Sequence, residues 1–226
     1  MANKLLFLEK KLEEALILYE QVGKFDLALQ HYKEVENELN SIIEQNEVEA
    51  TQVHKLLAQC YLRQAGMLRQ LGRFDEANVM NKNEIESARR SGSSIAYAQS
   101  LFSTGVNLLS NRQIEEGLTS LMKAKTYFEG GNTSEHKQGL GWYWIIQADL
   151  GNKCLIKLSN EEIINYGNKA IAILTPIQNI PGLSRGYEAR SIAYKNKGDY
   201  ENAQADIEKS KSIIESKTTS NRETIN

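Results

Sequence analysis

Leu71-Gly72-Arg73-Phe74-Asp75-Glu76-Ala77 reads as a reversal between two helices. Leu71 closes one amphipathic run, Gly72 takes the position where a side chain would crowd the backbone, and Phe74 plugs the gap behind it. Asp75 is placed to cap the next helix, and Ala77 lets that helix approach closely. The same Gly-x-aromatic-x-x-Ala order occurs earlier from Gly23 through Phe25 to Ala28, and later from Gly198 through Tyr200 to Ala203. Three copies in 226 residues mark an internal repeat.

The pattern extends outward from each copy. Tyr19 and Tyr194 stand four residues before the Gly, and Tyr32 and Ile207 four residues beyond the Ala. Two degenerate copies keep the register. In one, Arg112 replaces the Gly, Ile114 the aromatic and Gly117 the Ala, with Gly105, Leu121 and Ala124 in place; in the other, Leu158 stands at the turn, followed by Ile163, Gly167 and Ala170. These residues resemble the turn and second helix of the tetratricopeptide repeat (TPR) over about residues 3–217. Turns at 23, 72, 112, 158 and 198 are spaced by 49, 40, 46 and 40 residues, all longer than the roughly 34 of the standard repeat. The spacing is similar to that of long-helix arrays in regulatory sensor proteins and in the C-terminal arms of STAND ATPases. The resemblance implies an all-α, right-handed α-solenoid of about five antiparallel helix pairs, a single domain over 1–217, and a disordered tail over 218–226.

Composition agrees with a repeat array, in which each unit buries its face against the next. Hydrophobic residues make up 41% and charged residues 25%, and no stretch reads as a linker. A formal net charge of −2 argues against a chain built to neutralise nucleic-acid phosphates. No apolar run approaches the roughly 20 residues of a membrane span, so a cytoplasmic protein is expected. Cys60 and Cys154 fall in predicted helices and read as buried, inert thiols.

Apolar residues recur at helical spacing through Leu5, Leu8, Leu12, Leu16, Tyr19 and Val22, predicting a first helix over about 3–22 and its partner over about 26–46. That long pair at one end either caps the stack or presents a face to a partner. Further helices are expected over about 49–70, 74–91, 94–109, 114–129, 136–154, 160–175, 182–196 and 200–216. The helix after Phe74 is unusually polar. Asn81 falls where a large core residue belongs, so that position opens to solvent or is covered by a partner.

The chemistry-bearing residues form no recognisable site. His31, His54 and His136 have no metal-pair spacing, no phosphate-binding glycine loop exists, and adjacent carboxylates such as Glu115-Glu116 point apart on a helix. No enzyme activity, metal or cofactor is expected. Trp142-Tyr143-Trp144 is the exception to a featureless surface. Its two tryptophans diverge by about 200° on a helix, so one core face cannot take all three rings. Either one ring faces a groove or two pack in neighbouring repeats and the third lies on the surface.

In the family register the first helix of each pair lines the concave face. This assigns Gln59, Leu62, Gly66 and Arg69, then Gln99, Phe102, Val106 and Leu109, then Ile145, Ala148 and Asn152, then Arg185, Glu188 and Lys195, with Tyr143 as a further aromatic anchor. The resemblance implies a non-catalytic scaffold or adaptor that binds another protein or a peptide; the alternative is a regulatory sensor whose curvature changes on binding. Neither nucleic acid nor membrane is expected as a partner. The Lys-Asn carboxylate clamp of chaperone-binding relatives is missing, because Glu13 and Ile17 occupy its places.

Overall fold

The computed structural model of the chain describes residues 2–45 and 50–223. Among these residues there are ten α-helices and no strand. Helix α1 (Ala2–Ala15) continues as a π-helical stretch (Leu16–Glu20) and is followed by α2 (Phe25–Gln45), α3 (Ala50–Gln70), α4 (Phe74–Arg90) and α5 (Ser94–Ser110). Then come α6 (Ile114–Glu129), α7 (Ser134–Asn152), α8 (Asn160–Leu174), α9 (Ile180–Lys197) and α10 (Tyr200–Glu223). The helices pair as five antiparallel hairpins, as the sequence predicts. The chain divides into two compact units, Met1–Tyr127 and Phe128–Asn226, the division falling just before the Gly130-Gly131 loop.

One backbone device closes every hairpin. Gly72 N–H donates to Arg69 C=O at 3.1 Å and Arg73 N–H to Leu68 C=O at 2.8 Å, with Gly72 left-handed at φ 73°. The same two bonds recur around Gly23, Arg112, Cys154 and Gly198. All four of these residues also have positive φ. The pair satisfies carbonyls that the helix end would otherwise orphan. The fourth turn is therefore centred on Cys154, four residues before the expected Leu158. Ser159 accounts for the shift: its side chain and that of Glu162 form a reciprocal capping box that fixes the start of α8, leaving 155–159 as connection. Cys154 is consequently exposed, against expectation, while Cys60 is buried, donates to the Tyr32 carbonyl at 2.9 Å, and has its thiol pushed up to about 12 by burial.

Unit 1 is organised by a continuous core. Leu5, Leu8 and Leu12 of α1 meet Tyr32, Val35 and Leu39 of α2 and Leu56, Leu57 and Cys60 of α3. Each such buried aliphatic side chain contributes about 1.5–3 kcal/mol. Tyr32 is buried whole, and its hydroxyl donates to Glu20 at 2.7 Å. Where the repeat departs from consensus the helices close in further: a Cβ on Gly105 would sit 2.8 Å from Leu121 Cγ and 3.0 Å from Gly117 C=O. That contact explains why Gly117 stands in place of the family Ala. In unit 2, Ile163, Ala148, Ala189 and Ala193 form one core cluster, and Ile145, Ala170, Leu174 and Leu183 another.

Helix α10 continues through 218–223, although the sequence there has no apolar stripe and reads as tail; residues 224–226 lie outside the described residues. Propagation from a packed helix is far easier than nucleation, so weak formers extend an existing helix.

Non-glycine residues in the left-handed region cost about 1 kcal/mol or more. Arg112→Gly and Cys154→Gly are each expected to raise the thermal midpoint by up to about 3 °C, and Gly72→Ala to lower it comparably, measured by circular dichroism. Equal midpoints for all three would contradict the shared turn.

Candidate functional site

Within each unit the first helices of successive hairpins lie side by side: α3 packs on α5 as well as on α4, and α7 on α9 as well as on α8. Each unit thus presents a layer of first helices. In unit 1, Gln59 is exposed, while Leu62, Gly66, Arg69, Gln99, Phe102 and Val106 are half-buried. Leu109, also half-buried, lies across Gly117, where an added Cβ would meet its Cγ at 2.8 Å, so it belongs to the α5–α6 crossing.

Unit 2 departs further from the expected register. Ile145 and Ala148 are buried in the core, and so is Tyr143, whose hydroxyl group has a raised pKa chiefly because burial disfavours its ionised form. The half-buried row on α7 is Trp142, Ile146 and Asp149 instead. Arg185 of α9 reaches back to Asp149 at 2.6 Å and along its own helix to Glu188 at 2.8 Å. Partial burial opposes its charge, but the two carboxylates prevail and hold its pKa above the ordinary value. Arg185 and Glu188 are therefore brought together, with the charge on Arg185 already neutralised. Asn152 donates to the Ala189 carbonyl at 2.8 Å, tying α7 to α9. Lys195 is exposed.

Both tryptophans are half-buried and pack against the cluster of Ile145, Ala170, Leu174 and Leu183. Trp142 packs beside Ile145 and Leu183, while the Trp144 ring lies 5.0 Å from Tyr166 and 4.3 Å from the Lys169 ammonium.

The feature sequence reasoning missed is a polar seam between α3, α4 and α5. Asn81 neither opens to solvent nor awaits a partner: it is 2% exposed and its Oδ1 accepts from Ser103 at 3.0 Å. Asn107, wholly buried on α5, donates to Asn78 Oδ1 at 2.6 Å. Glu84, one turn beyond Asn81, is 1% exposed, and burial holds its carboxyl well above the usual range, against the opposing pull of Ser103 and Arg69. Burial likewise depresses the Arg69 guanidinium, with Glu84 acting in the other direction. Arg69 Nη1, Asn81 Nδ2, Glu84 Oε2 and Asn107 Oδ1 have no hydrogen-bond partner. The legible signal was Asn78, Asn81 and Glu84 at three-residue steps on α4, facing Ser103 and Asn107 one turn apart on α5.

No group of three or more His, Cys, Asp or Glu side chains among the described residues is arranged to hold a metal ion. His54 is buried, and burial lowers its pKa. His136 is half-buried: it lies over Gly131 and pairs through Nδ1 with Thr133 Oγ1 at 2.8 Å. No helix among the described residues is long and apolar enough to cross a membrane.

These features define a helical-hairpin repeat protein. Residues 184–217, essentially α9 and most of α10, match the family model described as tetratricopeptide repeat. The fold is similar to that of BtubC (BKLC) from P. vanneervenii, with a TM-score of 0.61 and 15% identity over 96% of this chain and 92% of that one. It is also similar to the nearly identical TPR-like repeats of a candidate kinesin light chain from Podosopora anserina, with a TM-score of 0.57 and 16% identity over 92% and 94% of the two chains. No match was found among curated protein sequences. The chain carries a tetratricopeptide repeat in its last hairpin and has the fold of TPR arrays.

The raised carboxyl of Glu84 has a direct consequence for stability. The folded state holds this proton more tightly than the unfolded chain, so the stabilisation is complete below about pH 4.5 and is lost as pH rises through the folded value. Glu84→Gln is expected to melt increasingly above the parent as pH rises from 4.5 to 8, with the gap smallest at the acid end. A constant gap would show that Glu84 ionises freely in the folded state.

Proposed function

We propose that the protein is a non-catalytic scaffold or adaptor that binds a segment of another protein, or a peptide, on its layer of first helices. The observation that carries this reading is the half-buried row Phe102 and Val106 on α5, beside α3 with its half-buried Leu62 and Arg69. Half-buried aromatic and aliphatic side chains supply contact area at small entropic cost, and an aromatic ring or an arginine is the commonest anchor of a protein interface. An extended segment or an amphipathic helix fits such a surface, with apolar side chains against Phe102 and Val106 and a carbonyl or carboxylate toward Arg69. On unit 2, Asp149 and Glu188 surround Arg185, so a basic or neutral group of the ligand is favoured there.

The polar seam supports the second reading, a regulatory sensor. Four unsatisfied buried atoms on α3, α4 and α5 each carry a penalty of about 1–3 kcal/mol, so an arrangement of these helices that paired them would be favoured. Binding that favours one arrangement by about 1–3 kcal/mol suffices for signalling.

Affinity capture from native cells, followed by titration of the captured partner, tests the scaffold reading. Phe102→Ala combined with Arg69→Ala, its fold checked by circular dichroism, is expected to weaken that partner at least about tenfold. Equal affinity for the folded variant and the parent would remove the α3–α5 surface from consideration. Solution scattering of the free and bound forms then separates scaffold from sensor, since only the sensor changes curvature.

A further inference from the structure

Helix α1 is apolar on two opposite faces. Leu5, Leu8, Leu12 and Ala15 enter the core of unit 1. On the other side, Leu6, Phe7, Ile17 and Leu18 are 53%, 52%, 50% and 55% exposed. Between these two apolar pairs, Lys10, Glu13 and Glu14 are all exposed. Lys11 is held by Glu38 at 2.8 Å, whereas Lys10, Glu13 and Glu14 stand free for a second molecule. The stripe therefore reads apolar, basic, acidic, apolar.

We propose that this stripe is a homodimer interface, formed by two α1 helices packed antiparallel about a two-fold axis level with Leu12. In that register Leu6 faces Leu18 of a second copy, Phe7 faces Ile17, and Lys10 faces Glu14, each contact occurring twice. A parallel arrangement would set Lys10 against Lys10 and Glu14 against Glu14, so the order of charges selects the antiparallel one. The same order disfavours an anionic lipid surface, because the face carries Glu13 and Glu14 beside its lysine. The Leu16–Glu20 π-helical turn presents Ile17 and Leu18 at the far end of the stripe. A helix from Ala2 to Glu20 is about 27 Å long and gives an interface at the small end of the stable range, so dimerisation is expected at micromolar concentrations.

Sedimentation equilibrium of the full chain, from about 1 to 200 µM, reads the association directly. Lys10→Glu alone and Glu14→Lys alone are each expected to weaken it at least about fivefold, because each brings like charges together twice. Mixing the two variants restores association as a heterodimer: the carboxylate introduced at position 10 of one chain meets the ammonium introduced at position 14 of the other, while the remaining pair is native. This rescue excludes misfolding as the cause of either loss. A chain that stays monomeric at 200 µM, or a dimer indifferent to both substitutions, would overturn the proposal.

Discussion

The reversal of the chain at the end of each first helix is the constraint on which the architecture depends. Two helices can lie antiparallel and in contact only if the backbone turns within a few residues. It does so five times by placing one residue in the left-handed region and closing two hydrogen bonds onto the preceding helix. Glycine fills that position at 23, 72 and 198, where the turn is cheapest; Arg112 and Cys154 fill it elsewhere at a conformational cost that packing offsets. After Gly23, Gly72, Arg112 and Gly198 the second helix starts two residues on, so at these four turns the reversal also fixes which face of the first helix is left uncovered.

The parts of this architecture written in local chemistry were legible in the sequence. The turns at 23, 72, 112 and 198, the ten helices and the core stripe of the first hairpin follow from glycine, aromatic and aliphatic spacing. The fourth turn was not, because Cys154 carries no turn signal and the Ser159–Glu162 capping box sets the start of α8 regardless of where the turn falls. On α7 the projected face also failed: Ile145 and Ala148 are core, and the uncovered row runs through Trp142, Ile146 and Asp149. From Gly139 to Ile146 that helix carries no charged or amide side chain, so its periodicity there does not say which side meets its neighbours.

The polar seam shows a different limit. Polarity predicts exposure for an isolated residue, yet Asn81, Glu84, Ser103 and Asn107 bury one another across two helices. Only knowledge of which helices touch converts polar residues at matching steps into a buried network. The network is incompletely satisfied, so it costs unit 1 part of its stability. In unit 2 the comparable charges are paired, Arg185 with Asp149 and Arg190 with Asp206, the latter at 2.6 Å. The two units therefore present first-helix surfaces of different character: apolar with a poorly paired arginine in one, polar and compensated in the other.

The central claim is that first helices, and not the second helices behind them, meet the partner. Site-specific photo-crosslinking in cells tests it directly, with the reactive group placed in turn at Phe102 on α5, Val79 on α4 and Met122 on α6. Val79 and Met122 are the more exposed apolar residues of those second helices, so accessibility alone favours them. The account predicts a discrete polypeptide adduct from position 102 and none from 79 or 122. Adducts from 79 or 122 with none from 102 would contradict it.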